Sequence, residues 1–124
     1  MSRKILVADD EPNIVISIEY LMKREGYAVL VARDGQEALD MIARDRPDLV
    51  LLDVMMPKKS GFEVCQAVRA SEHLQATKIL MLTAKGRDTD LAKGLALGAD
   101  AYMTKPFSTR ELVQKVAEML AAQP

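Results

Sequence analysis

The sequence predicts a single-domain α/β fold in which five β–α units alternate along the chain. Short, continuously apolar runs recur through the 124 residues, and longer segments with helical spacing separate them. Continuous rather than alternating apolar runs are typical of parallel strands that helices cover on both faces. The length is close to the usual size of one domain, and no fixed-period repeat or linker-like stretch divides the chain.

Five apolar runs supply the predicted strands. They are ILVA at 5–8, AVLVA at 28–32, LVLL at 49–52, ILML at 79–82 and the weaker AYMT at 101–104. Right-handed crossovers place the carboxyl ends of all parallel strands at one edge of the sheet, where ligands bind. We therefore expect the functional residues just after these runs.

Capping patterns predict where three of the helices begin. An Asp or Ser followed three residues later by Glu can satisfy the unpaired backbone N–H groups of a helix start. Gly26 and Gly98 follow the first and fourth helical segments, where a left-handed residue commonly ends a helix. The pairs that match the capping pattern are Asp34 with Glu37, Ser60 with Glu63, and Ser108 with Glu111.

Composition and charge exclude several classes of function. A net charge of −1 provides no basic face, so direct binding to nucleic acid or to an anionic membrane is not expected. The single cysteine, Cys65, excludes an intrachain disulfide framework and a cysteine-rich zinc site. Charges interrupt the N-terminal apolar run too early for a signal peptide or a spanning helix. The sequence thus predicts a cytoplasmic protein.

Polar residues gather at the predicted carboxyl ends of the strands. Asp9 and Asp10 follow the first strand, Asp53 the third, Thr83 the fourth and Lys105 the fifth. One lysine cannot balance three carboxylates, and oxygen-only ligands favour Mg²⁺, with Mn²⁺ as a substitute. Aspartate can also form an acyl phosphate. Asp53, alone on the third and central strand, is the predicted nucleophile, and Asp9 and Asp10 are left for the metal.

Each of these residues also has an ordinary structural explanation when it is considered alone. Asp10 and Asp53 could cap helices, Thr83 could end a strand, and Lys105 could be a solvated surface charge. The functional interpretation depends on their joint placement, in chain order, at the strand ends.

Four segments in order, with their spacing, make nearly the whole chain resemble the receiver domain of bacterial two-component response regulators. The resemblance implies a doubly wound, flavodoxin-like (βα)5 fold with a parallel sheet in the order 2-1-3-4-5 and helices on both faces. It also implies a signalling domain rather than an enzyme: a sensor histidine kinase or phosphotransfer protein donates a phosphoryl group, and a conformational switch controls an output partner. The segments are VADDEP (7–12), LLDVMMPKKSG (51–61), MLTA (81–84) and LGADAYMTKPF (97–107).

The resemblance assigns the metal and phosphoryl roles at the first and third strands. Asp10 would bind Mg²⁺ directly and Asp9 mainly through water, while Asp53 would be the phosphoacceptor and a ligand. The backbone carbonyl of Met55 would complete the protein's share of ligands. Met55 and Lys85 hold the positions that influence self-dephosphorylation in this family, and a methionine there predicts slow loss of phosphate.

The resemblance also assigns roles at the fourth and fifth strands. Thr83 and Lys105 would contact the phosphoryl oxygens. Tyr102 would rotate together with Thr83 to report phosphorylation at the surface. The small Ala84 would leave the site open to a partner histidine, and the Lys105–Pro106 peptide bond is expected to be cis.

The sequence gives less detail about the output partner of the predicted receiver. The segment TKPFSTRELVQKV resembles receivers joined to winged-helix DNA-binding domains, which dimerise through their fourth and fifth helices. Asp100, Glu111 and Lys115 fit that set of charged pairs, but Ala101 replaces a second acidic residue. A phosphorylation-dependent homodimer is therefore one expectation. The chain would be either a stand-alone receiver or the N-terminal part of a regulator with a C-terminal effector domain.

Two other functions are less compatible with the residues. A dehalogenase-type phosphatase would need a D-x-D pattern after the first strand, whereas the sequence there is DDEP, and the chain has no cap domain. A flavin-binding module would need a glycine- and hydroxyl-rich loop at the same place, and DDEP would repel the flavin phosphate.

Overall fold

The computed structural model describes residues 3–84 and 88–121, and only the backbone of residues 88–91. Within these ranges, none of the helices has the length and apolar character needed to cross a membrane. A short 3₁₀ turn, Glu72–Leu74, precedes the fourth strand. Strands and helices alternate as β1 (Lys4–Ala8), α1 (Pro12–Arg24), β2 (Ala28–Ala32), α2 (Gly35–Asp45), β3 (Leu49–Asp53), α3 (Gly61–Ala70), β4 (Lys78–Ala84), α4 (Asp88–Ala96), β5 (Ala101–Lys105) and α5 (Thr109–Ala121).

The five strands form one parallel sheet in the order β2-β1-β3-β4-β5, which confirms the predicted fold class. Four strands extend slightly beyond their apolar runs, because ladder pairing continues into polar residues. Asp53 and Lys105 are consequently the last residues of β3 and β5, and Thr83 lies within β4. The carboxyl edge of the sheet therefore carries these side chains on the strands themselves.

Two apolar clusters fill the interior, one on each side of the sheet. Val50 and Leu52 of β3 belong to the cluster that includes the buried residues of α2 and α3. Leu49 and Leu51 belong to the cluster formed with α1 and α5. All four side chains are fully buried. Burial on both faces explains why the strand sequences are continuously apolar.

The predicted helix ends are present, with one difference at α2. In the capping boxes of α3 and α5, the serine hydroxyl accepts from the glutamate N–H and the glutamate carboxylate accepts from the serine N–H. At α2, Asp34 accepts from the Glu37 N–H at 2.8 Å, but Glu37 accepts from the Arg33 N–H, one residue before the cap. Gly26 and Gly98 have the expected left-handed backbone, with φ of 93° and 108°.

Candidate functional site

Three aspartates meet at the carboxyl edge of the sheet, because β1 and β3 are neighbours and both end there. One carboxylate oxygen from each of Asp9, Asp10 and Asp53 lies within 4.8 Å of the other two. Asp9 and Asp53 are buried, and Asp10 is exposed. Asp10 does not cap α1, because the N-cap residue is Glu11, whose side chain makes no capping bond.

Lys105 connects two of these carboxylates. Its Nζ lies 2.9 Å from Asp9 Oδ2, 3.3 Å from Asp53 Oδ1 and 3.5 Å from Glu11 Oε1. The other oxygen of Asp9 accepts from the Glu11 N–H at 2.9 Å, so both oxygens of Asp9 are engaged. The Lys105 side chain is only 16% exposed, which excludes the alternative of a solvated surface charge. Sequence reasoning did not predict the contact between Glu11 and Lys105. The available signal was that Glu11 is the third consecutive acidic residue, after Asp9 and Asp10.

The charges in this cluster are not balanced. Burial, followed by repulsion from Asp9, raises the pKa of Asp53 from 3.8 to about 6, despite the nearby Lys105. For Lys105, burial acts to lower the pKa, but its hydrogen bond to Asp9 and its attraction to Asp53 outweigh burial and raise it. One ammonium therefore compensates the buried acids only in part, which is the condition that favours a bound cation.

Thr83 contributes a buried hydroxyl beside the carboxylates. It follows Leu82, whose register partner across the sheet is Asp53. Its Oγ1 is buried and has no hydrogen-bond partner, the only such side-chain atom found in residues 3–84 and 92–121, whose side chains the structure describes. A buried polar atom without a partner is costly, so the fold keeps a hydroxyl that a ligand oxygen could satisfy. Lys85, the predicted second modulator of phosphate loss, lies outside the described residues.

A pocket of about 300 Å³ opens over the carboxylates. The Met55 side chain at its rim is 62% exposed, so solvent or a partner can reach the acids from this side. Met55 and Ala84 both line this pocket, so both lie beside the carboxylates. The lining of the pocket consists of Asp10, Glu11, Asp53, Val54, Met55, Ala84 and Lys105.

A larger apolar groove of about 630 Å³ adjoins this pocket. It runs between α1 and the segment that follows β5, and it shares Glu11, Ala84 and Lys105 with the pocket. Apolar side chains make up much of its remaining lining, among them Ile14, Ile18, Leu21 and Phe107. The acid pocket and the apolar groove thus share part of their lining.

The chain also matches known proteins over most of its length. A family model for the response regulator receiver domain matches residues 5–117. The chain belongs to this receiver domain family. Receivers of this family act in two-component signalling and are not conventional enzymes.

Solved structures agree with this assignment. A protein described as a response regulator from Chloroflexus aurantiacus is 35% identical, with a TM-score of 0.93 and coverage of 98% of this chain and 99% of that one. The chemotaxis response regulator CheY4 of Vibrio cholerae is 34% identical, with a TM-score of 0.90 and coverage of 96% and 99%. The receiver domain of a signal transduction histidine kinase from Syntrophus aciditrophicus is 28% identical, with a TM-score of 0.90 and coverage of 97% and 91%.

Tyr102, the predicted switch residue of this receiver, lies on the surface and is not among the residues that line the acid pocket. It is 43% exposed, and its register partner on β4 is Met81. A hollow that Tyr102 lines also includes Lys105 and Glu111. The expected cis peptide bond between Lys105 and Pro106 is present.

Two of the charges predicted for receiver dimerisation make bonds within the chain. Asp100 Oδ2 accepts from Arg69 Nη2 at 2.7 Å and from the Ile79 N–H at 2.8 Å. Glu111 accepts from the Ser108 N–H as part of the α5 capping box. An intermolecular pair at either position would compete with these bonds, so the predicted homodimer stays a prediction.

Proposed function

We propose that this receiver accepts a phosphoryl group on Asp53 from a sensor histidine kinase or phosphotransfer protein, in a reaction that requires Mg²⁺. The resulting change in conformation controls an output partner. The observation that carries the proposal is the meeting of three aspartates within 4.8 Å, two of them bound to Lys105, beside a buried and unpartnered hydroxyl.

Asp53 is better suited than its neighbours to attack phosphorus. Both oxygens of Asp9 already accept hydrogen bonds. Asp10 is exposed to solvent, whereas Asp53 is buried. Asp53 is buried, and its Oδ1 lies 3.3 Å from Lys105 Nζ, so the bonds found in the described part of the chain leave its Oδ2 available to attack.

The donor set fits a hard divalent cation. Carboxylate oxygens from Asp9, Asp10 and Asp53, with the backbone carbonyl of Met55, are ligands of the type that Mg²⁺ and Mn²⁺ take. A bound cation would supply positive charge to the phosphoryl oxygens and relieve repulsion among the acids. The donor set favours Mg²⁺ over zinc or copper, because the cluster found among the described residues offers only oxygen ligands and no histidine or sulfur.

The transfer step needs little more than positioning and charge. A carboxylate oxygen of Asp53 bonds to phosphorus as the bond from phosphorus to the donor's imidazole nitrogen breaks, and that nitrogen keeps the electron pair and is free to take up a proton. The Lys105 ammonium stabilises the charge that spreads over the phosphoryl oxygens. The Thr83 hydroxyl would donate to one of these oxygens, which gives it the partner it lacks.

A protein donor fits the surroundings of the pocket. The apolar groove beside it could receive a helix of the kinase or phosphotransfer protein, and Ala84 at the boundary is small. The proposal therefore locates the receiver in the cytoplasm, where such donors present their phosphohistidine. The output protein or effector domain would read the surface around Tyr102.

The deciding experiment measures intact mass after incubation with acetyl phosphate, with Mg²⁺ or with EDTA. We expect a Mg²⁺-dependent phosphoryl adduct on the wild type that is absent from Asp53→Ala. Asp40→Ala is the matched control, because Asp40 is an exposed aspartate on α2. If Asp53→Ala still forms the adduct, another residue is the phosphoacceptor. If folded wild type forms no adduct, the chain is better described as a phosphorylation-independent interaction domain.

A further inference from the structure

We propose that Gly35, the first residue of α2, positions the Met55 carbonyl for the cation. Gly35 is not among the residues that line the acid pocket, so it would act through the loop between β3 and α3. The inference rests on the proposed function, because it concerns the same cation.

The β3–α3 loop is anchored to the sheet at its beginning. The Val54 N–H donates to the Leu82 carbonyl at 3.2 Å, and the Val54 carbonyl accepts from the Gly61 N–H at 2.8 Å. A Cβ at Gly61 would lie only 2.3 Å from the Asp53 carbonyl oxygen, so the start of α3 packs directly on the end of β3. Met55 is the residue immediately after this anchor.

A second anchor holds the loop two residues after Met55. The Pro57 carbonyl accepts from the Lys59 N–H at 2.8 Å and from the Gly35 N–H at 3.2 Å. Lys58, between Pro57 and Lys59, has a φ of 68°. A hydrogen bond across one positive-φ residue defines the rarer and strained form of the γ-turn. Such a turn persists only when its surroundings hold it, and Gly35 supplies the bond from outside the loop.

Gly35 is needed there for space rather than for its backbone conformation. In the described part of the chain, the glycines with positive φ are Gly26 and Gly98, and Gly35 is not one of them. A Cβ on Gly35 would lie 2.0 Å from the Lys59 carbonyl oxygen and 2.6 Å from the Lys59 Cβ. Opening the first of these distances to the 3.4 Å of an ordinary contact requires a shift of about 1.4 Å in the turn.

Such a shift would reach Met55, because only Met56 separates it from the second anchor. Mg²⁺ and Mn²⁺ prefer near-octahedral geometry at short ligand distances, so displacing one ligand weakens binding. The ion pair between Lys58 and Asp34, 3.7 Å apart and with Lys58 largely exposed, contributes little to holding the turn. The contact that matters is therefore the backbone packing at Gly35.

The test measures the affinity of the protein for Mn²⁺ without a phosphodonor, from the concentration of free Mn²⁺ determined by electron paramagnetic resonance. Gly35→Ala should bind Mn²⁺ about 10-fold more weakly than wild type, as is typical when a group that supports a ligand is disturbed. Gly26→Ala is the matched control, because its φ of 93° strains any alanine while no atom lies within 4 Å of the new Cβ. Gly26→Ala should lose stability, measured by urea denaturation, but keep the wild-type affinity.

Each outcome decides the matter. Should Gly35→Ala be too unstable to assay, the double variant Gly35→Ala/Lys58→Gly offsets part of the loss by removing the left-handed penalty at Lys58. It should bind Mn²⁺ more weakly than Lys58→Gly alone. Wild-type affinity in the folded Gly35 variant, or equal weakening in Gly26→Ala, would overturn the positioning role and leave the proposed function intact. A wild type that binds no Mn²⁺ and forms no phosphoryl adduct would overturn both.

Discussion

Asp53→Asn should stabilise the metal-free protein, although it removes the proposed phosphoacceptor. The substitution keeps the shape of the side chain and removes a charge that burial and Asp9 disfavour. The difference between a pKa of 3.8 and one of about 6 corresponds to about 3 kcal/mol at neutral pH. Because the pocket is open to solvent, we expect about half of this, roughly 1.5 kcal/mol. For a chain of 124 residues that is an increase of about 6 °C in Tm.

The stability gained by Asp53→Asn should increase with pH. The pKa of Asp53 is raised by folding, so its protonated form favours the native state. That contribution is complete below pH 3.8 and is lost as the pH rises through about 6. The difference in stability between Asp53→Asn and wild type should therefore be small near pH 4 and reach its full size above pH 7.

Urea denaturation in EDTA, followed by circular dichroism, measures this difference at each pH. Asp40→Asn is the control for loss of an exposed carboxylate and should change stability by less than about 0.5 kcal/mol. Adding Mg²⁺ should stabilise wild type more than Asp53→Asn, because the cation binds the native site. A variant no more stable than wild type in EDTA at pH 7.5 would refute the charge imbalance inferred at the pocket.

Three further substitutions test other features. Arg46→Gly should stabilise the protein by about 0.5–1 kcal/mol in urea denaturation, because Arg46 ends α2 with a φ of 47°; unchanged stability would contradict this. Asp100→Ala should cost about 1.5 kcal/mol, since Arg69 loses its carboxylate but keeps its bonds to the Gly98 and Thr77 carbonyls, whereas Asp45→Ala, whose partner Arg44 is exposed, should cost under about 0.5 kcal/mol. Met55→Asn should shorten the lifetime of the phosphoryl adduct several-fold, because an amide can orient the attacking water; an equal half-life in the mass assay would argue against that role.

The sequence predicted the fold and the members of the acid cluster because both depend on regular rules. Continuously apolar runs indicate a sheet covered on both faces, and parallel strands bring their carboxyl ends together. Asp9, Asp53 and Lys105 could therefore be assigned to one neighbourhood without knowledge of any contact. Their roles in phosphoryl transfer stay proposals, as do those of Thr83 and Tyr102.

Contacts between a helix and a distant loop could not be predicted in the same way. Arg69 of α3 and Asp100 are 31 residues apart, and Gly35 at the start of α2 packs on Lys59 in the loop before α3. No periodicity of apolar residues encodes such contacts, because they depend on how an irregular segment meets a helix from another unit. Asp100 consequently fitted a charge pattern for dimerisation in the sequence, whereas in the structure its carboxylate is engaged within the chain.

The sheet divides the interior into two clusters, and this division affects how core substitutions combine. Leu51 and Leu52 are adjacent in sequence but pack in different clusters, separated by the backbone of the sheet. Substitutions on opposite sides share few neighbours, so their effects on the free energy of unfolding should add, whereas those within one cluster should couple. Residues of one cluster can then be substituted while the other cluster continues to stabilise the sheet. The molecule should therefore tolerate stepwise changes of its core during evolution.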